Sequence, residues 1–109
     1  MTLILSILDP SAPPVNVSGH NISSTSILVE WGKVPPADRN GVITSYNITY
    51  HSLTESHLNS TTVDYPGQQV TLTGLKEFVN YSIRAFASTK EGDGPFSRPI
   101  FVITNQDSE

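Results

Sequence analysis

Large residues recur at a spacing of two along this chain: Trp31, then Tyr46-x-Ile48-x-Tyr50, then Leu75 followed six positions later by Tyr81-x-Ile83. Side chains of an extended strand alternate between its two faces, so residues two apart point the same way. In the segment 26–31, Ile27, Val29 and Trp31 form one row. In 43–50, Tyr46, Ile48 and Tyr50 do so, with Asn47 and Thr49 opposite. In 81–87, Tyr81, Ile83, Ala85 and Ala87 form the apolar row, while Ser82, Arg84 and Phe86 face away. These windows are rich in β-branched and aromatic residues, which suit a pleated, half-buried surface. No window of similar length carries an equally good helical stripe. Two sheets closing over the single tryptophan satisfy the pattern, with Trp31, Tyr46, Ile48, Tyr50, Leu72, Leu75, Tyr81 and Ile83 as the core.

Turn residues punctuate the strands. Gly32 to Gly41 contains Pro35-Pro36 and Asn40-Gly41, which cannot continue a central strand. Tyr65-Pro66-Gly67 breaks the chain again, and Glu91-Gly92-Asp93-Gly94-Pro95 forms a tight loop before a last strand. Seven strands are expected: Val15–Val17 running toward Ile22, then 26–31, 42–51, 56–63, 68–73, 80–88 and 98–104. Short strands with regular turn signals predict an all-β antiparallel sandwich.

These residues resemble the fibronectin type III family over 12–105. Pro13-Pro14-Val15-Asn16-Val17 resembles its opening, Trp31 its second-strand tryptophan, and Tyr46-x-Ile48-x-Tyr50 its third strand. Leu72-Thr73-Gly74-Leu75 leads to Tyr81, which the resemblance makes a tyrosine-corner residue bonded back to the chain a few positions upstream. Ala87, Gly92, Gly94 and Ser97 match the family's ending. Glu77, Val79 and Thr89 depart from the usual proline, threonine and asparagine. The resemblance implies a seven-stranded, immunoglobulin-like Greek-key sandwich that binds proteins and spaces its neighbours.

The 109 residues suffice for one domain, able to bury roughly 65% of its unfolded surface. The absence of cysteine excludes a thiolate nucleophile and disfavours an immunoglobulin domain with an inter-sheet disulfide. A net charge of −4 without a basic cluster gives no footprint for nucleic acid or an anionic membrane. The apolar stretch 1–8 lacks a basic region and a small-residue cleavage site and is too short to span a membrane. Residues 1–11 are therefore expected to be a linker or appended residues, 12–105 the domain, and 106–109 a further linker, all cut from a longer chain.

Five Asn-x-Ser/Thr triplets occur, at Asn16, Asn21, Asn47, Asn59 and Asn80. The composition alone predicts about 1.6, so the excess points to N-glycosylation and the secretory pathway. Strand parity places Asn47 and Asn80 outward, beside inward tyrosines. It places Asn16 and Asn21 outward beside Val17 and Ile22. Asn59 falls in a polar stretch. A bulky sugar needs such exposed positions. Glycans on Asn47 and Asn80 would crowd one outer sheet face around Thr49, Arg84 and Phe86, leaving loops or the opposite sheet to a partner.

Among the loops, Lys90, Glu91 and Asp93 form a possible partner-contact site. It lies where some family members carry Arg-Gly-Asp, but no arginine precedes Gly92-Asp93 here. Glu91 and Asp93 offer two oxygens where calcium needs six to eight. His20, His51 and His57 have no zinc-ligand spacing. Ser52, Glu55 and His57 lie in one short segment without an oxyanion-hole turn, and no phosphate-binding glycine loop is present. No catalysis, cofactor or metal is expected. The expected function is that of an extracellular, non-catalytic recognition and spacer module of a cell-surface adhesion molecule or receptor. Its contacts would be an unidentified protein and neighbouring repeats, with no nucleic acid and no direct membrane contact. Neural adhesion molecules and receptor-type tyrosine phosphatases carry such repeats. An intracellular muscle or scaffold repeat, or a spacer in a secreted enzyme, are the alternatives.

Overall fold

A computed structural model describes residues 9–105; of the expected linkers 1–11 and 106–109, residues 1–8 and 106–109 lie outside the described residues. Among the described residues, eight strands form two antiparallel sheets. They are β1 (Val15–Ser23), β2 (Ser26–Gly32), β3 (Ser45–Ser52), β4 (Asn59–Asp64), β5 (Gln69–Leu72), β6 (Asn80–Thr89), β7 (Gly92–Asp93) and β8 (Ile100–Ile103). One sheet has the order β1-β2-β5, the other β4-β3-β6-β7, with β8 also paired to β6. The strand beyond the expected seven is β7, two residues of the Glu91–Pro95 turn that pair with Ser88 and Thr89. A two-residue pairing is too short to leave a periodic signal in a sequence.

The inward rows close the sandwich as the spacing predicts. Ile27, Val29 and Trp31 of β2 face Tyr46 and Ile48 of β3 and Tyr81, Ile83, Ala85 and Ala87 of β6, all buried, with Leu72 and Leu75 completing the cluster. The rings of Trp31 and Tyr46 lie 5.6 Å apart and tilted, a favourable aromatic geometry. Tyr50 is the exception to the expected core. It is only half-buried and packs against the cluster from its rim, because its partner on β4 is the polar Asn59 at the strand's beginning. Val34 and Ile43, at the two ends of the β2–β3 loop, are buried core residues with no period to announce them.

Hydrogen-bonded side chains fasten one end of the sandwich and the middle of β6. The Lys76 amide donates to the Tyr81 hydroxyl at 2.9 Å, the corner expected of that tyrosine. Thr104 Oγ1 donates to the Lys76 carbonyl at 2.7 Å and accepts from the Val79 amide at 2.9 Å. In the middle of β6, Ser97 and Ala85 bond reciprocally, with the Ser97 hydroxyl accepting from the Ala85 amide at 2.9 Å.

The two buried tyrosines differ in one respect. Tyr46 Oη is buried without a hydrogen-bond partner, and burial pushes its phenol above the ordinary value, with Tyr65 adding to the effect. Removing an unpartnered buried hydroxyl relieves a desolvation penalty; removing a paired one strands its partner. Tyr46→Phe should therefore leave stability unchanged or raise it by up to about 1 kcal/mol, whereas Tyr81→Phe should cost about 1–2 kcal/mol. Urea unfolding of both variants checks this opposition. Because the folded-state pKa of Tyr46 lies above its unfolded value, its contribution is present below about pH 10 and is lost as pH rises further. Tyr46→Phe should lessen that alkaline loss.

Candidate recognition surfaces

The chain enters and leaves at opposite poles. At the N-terminal pole, Asp9–Ser11 is strapped to the β2–β3 loop. The Ser11 amide donates to the Asp38 carbonyl at 2.8 Å, Ser11 Oγ to Asp38 Oδ1 at 2.9 Å, and Asn40 Nδ2 to the Asp9 carbonyl at 3.1 Å. The same strap runs against the β6–β7 turn. A Cβ on Gly94 would stand 2.7 Å from Pro10 Cβ and 3.1 Å from the Pro10 carbonyl. Glycine thus permits backbone approach here. At the C-terminal pole, Phe78 donates its amide to the Asn105 carbonyl, and Leu53 its amide to Asn80.

Beside the strap lies a mostly apolar cleft of about 430 Å³ between the two loops. It brings Lys90 and Glu91, expected from sequence as contact residues, together with Asn40, Val42 and Thr44, which were not. Val42 is 80% exposed at its rim, and a lone valine in a loop carries no periodic signal. Asp93, the third expected contact residue, is exposed but already accepts from Ser88 Oγ at 2.7 Å and, in β7, pairs with Ser88 of β6. No group of three or more metal-ligating side chains converges anywhere among the described residues. Ser52, Glu55 and His57 do share a cleft at the C-terminal pole. There Ser52 Oγ bonds Thr54 Oγ1 at 3.3 Å, and Glu55 pairs with Lys76.

The five-stranded sheet presents an ordered polar row on its outer face. Thr62 Oγ1 donates to Asn47 Oδ1 at 2.8 Å, Asn47 Nδ2 to Ser88 Oγ at 3.2 Å, and Ser88 Oγ to Asp93 Oδ1, so four side chains link four strands. Next to it, Phe86 packs edge-on against Phe96 with centroids 5.0 Å apart, and the Arg84 guanidinium lies 4.2 Å from the Phe96 ring centre. Phe86 is thus half-buried under neighbouring side chains rather than standing free as an anchor.

The five triplet asparagines separate in the structure. Asn47 and Asn80 face outward on adjacent strands, as the parity predicts. Asn16 is exposed, in a left-handed conformation with φ of 53° that asparagine tolerates better than most residues. Asn21 departs from the expected outward placement. It pairs with the inward Ile27, and its Nδ2 donates to the Ile103 carbonyl at 2.6 Å, while Ile22 is the exposed residue. Irregular register between Val15 and Ser18 and again between Asn21 and Ser23 shifts the alternation of β1. Asn59 pairs with the inward Tyr50 and stands half-buried at the cleft mouth.

The description of the fibronectin type III domain matches residues 11–103. The chain belongs to this family. Among relatives, it is 40% identical over 100 residues to chicken protein sidekick-1 and 36% identical over 101 residues to bovine receptor-type tyrosine-protein phosphatase F. Each alignment covers 90% of this chain and 5% of the relative, so the chain spans about a twentieth of those proteins' length. Among solved structures, the chicken CNTN1 FN1–FN3 domains superpose with a TM-score of 0.81 at 28% identity, covering 89% of this chain and 33% of that one. Fibronectin type III domains of this kind are generally non-catalytic.

The strap yields a direct test. Gly94→Ala places a methyl group against Pro10, so Asp9–Ser11 should detach while the sandwich stays folded. Hydrogen exchange at the Ser11 amide should then accelerate at least tenfold, with exchange in β3 and β6 unchanged.

Proposed function

We propose that this fibronectin type III domain is a non-catalytic protein-recognition and spacer module in the extracellular part of a cell-surface adhesion molecule or receptor. The observation that carries the spacing role is where the first and last described residues lie. Asp9 lies at one pole beside the β2–β3 and β6–β7 loops, and Asn105 at the other beside Phe78, so repeats on either side extend the sandwich lengthwise. The strap of Asp9–Ser11 adds stiffness at the first junction, because its hydrogen bonds remove freedom from the residues that link to the preceding repeat. Relatives that include a receptor-type phosphatase and the excess of glycosylation triplets support an extracellular setting. Any catalysis in the parent protein belongs to another domain.

Recognition falls to the loops or to the three-stranded sheet. On the five-stranded sheet, the polar row through Asn47 and the stacked Phe86–Phe96 pair use their own contacts internally, and sugar at Asn80 or Asn47 would cover what remains. In a complex with a protein partner, hydrogen exchange should slow in 33–44 or 89–95, or in β1, β2 and β5. Protection confined to 47–50 and 82–86 contradicts this assignment.

The extracellular setting is tested by secreting the chain from animal cells behind a signal peptide and weighing it before and after enzymatic removal of N-glycans. Loss of several glycan masses is expected. Efficient secretion with no mass change would favour an intracellular repeat instead.

A further inference from the structure

An apolar patch stands open at the C-terminal pole of the five-stranded sheet, and one glycosylation triplet lies at its centre. Leu53, Phe78, Phe101 and Ile103 are 52%, 71%, 58% and 51% exposed. Asn80 is paired directly with Ile103 on one side, and on the other its carbonyl accepts from the Leu53 amide. Phe101 lies opposite Ser82, the next outward residue of β6, so it neighbours Asn80 diagonally on the same face. Phe78 stands two residues before Asn80, at the left-handed turn into the strand, with φ of 54°. Large apolar side chains grouped this way on a soluble domain mark a surface that something covers.

Asn80 also differs from the other triplet asparagines in how its amide is used. Its Oδ1 is buried without a hydrogen-bond partner, and no hydrogen bond of Nδ2 occupies the nitrogen. Asn21 and Asn47, by contrast, commit Nδ2 to Ile103 and Ser88. Asn59 shares a polar cleft, and Asn16 lies on β1, away from the four apolar residues. Asn16 borders a cleft with Pro13, Pro14, Val17 and Ile100, but among the five only Asn80 has a nitrogen with no hydrogen bond at the centre of the exposed group Leu53, Phe78, Phe101 and Ile103.

We infer that Asn80 carries an N-linked glycan whose first N-acetylglucosamine covers Leu53, Phe78, Phe101 and Ile103, so that the sugar completes the surface of the folded domain. This rests on the extracellular setting proposed above. The transfer joins Asn80 Nδ2 to C1 of the sugar of a polyprenyl-pyrophosphate-linked oligosaccharide. The nitrogen gives up one proton, and the C1–O bond breaks with its electron pair leaving on the carrier pyrophosphate, with no change of oxidation state. The C–H face of the pyranose then removes apolar side-chain surface from water, while the hydroxyls on its rim stay solvated.

The chain is secreted from animal cells held at the high-mannose stage, and each site is scored by enzymatic deglycosylation in heavy-oxygen water with peptide mass spectrometry. Asn80 is expected to be occupied in most molecules. Trimming to a single N-acetylglucosamine should retain a melting temperature roughly 4 °C or more above that of Ser82→Ala, once the difference between the same two chains made without sugar in bacteria is subtracted, since Ser82 is itself buried. Chain made in bacteria supplies the sugar-free reference. There Asn80→Gln should melt with the unsubstituted chain, which separates loss of the sugar from loss of the asparagine. Phe78→Ala should at least halve the gain that the trimmed sugar brings. An unmodified Asn80 beside modified Asn16 or Asn47 overturns the inference alone, and leaves the patch to a protein partner. A secreted chain with no modified site overturns it together with the extracellular setting. An occupied Asn80 with no gain in melting temperature overturns the covering role.

Discussion

The unbroken antiparallel register between β3 and β6, from Ser45 opposite Ser88 to Ser52 opposite Tyr81, is the constraint on which the rest of the domain depends. It sets Tyr46, Ile48, Ile83, Ala85 and Ala87 on one face, all fully buried. The same register sends Asn47, Arg84, Phe86 and Ser88 to the other. A slip of one residue would exchange the two sets, burying an arginine and an asparagine and exposing the core. No intermediate arrangement exists, because the side-chain period is two. The aromatic contact of Trp31 on Tyr46 and the Tyr81 corner then hold the second sheet and the crossover loop to this pair.

What the outer face can do follows from that register. Its central part is occupied by its own chemistry: a hydrogen-bonded row across four strands, and a phenylalanine pair with an arginine laid over it. Groups so engaged lose less freedom when another molecule approaches, but they also offer fewer unmet bonds to it. The unsatisfied surface lies at the poles. The N-terminal pole has the cleft around Val42 and the strap that ties the incoming chain to both loops. The C-terminal pole has the exposed apolar side chains around Asn80. The surface left open thus lies at the two poles, while the centre of the broad outer face is taken up by its own contacts.

The long central strands were legible because their alternation is uninterrupted, and the corner was legible through the family resemblance that Leu72-Thr73-Gly74-Leu75 and Tyr81 carry. The edge strands were not. On β1 the parity rule puts Asn21 outside and Ile22 inside, and two irregularities in register reverse both. Gly19 shows what β1 does instead. It passes so close to β8 that an added Cβ would lie 3.1 Å from Val102 and 3.2 Å from Ile100, and Asn21 two residues on bonds across the same seam. Asn59 misleads for a related reason, since a polar stretch reads as outward, yet its pairing with Tyr50 sets it on the inward parity at the sheet's margin. Periodicity reports the average face of a strand, and a bulge or a margin is a departure from the average.

By itself the sequence determined the β-sandwich, its core tryptophan and tyrosines, and a domain without cysteine chemistry, because those follow from local alternation and composition. Tertiary structure alone decided which of five similar triplets sets an unbonded nitrogen among exposed apolar side chains at Leu53, Phe78, Phe101 and Ile103, which loops share a cleft, and that Asp9 and Asn105 lie at opposite poles. Those properties depend on residues far apart in the chain, such as Asn80 with Ile103 and Asp9 with Asn40, meeting across strands and loops. Their proximity is set by the register of the whole sandwich, which no local window contains.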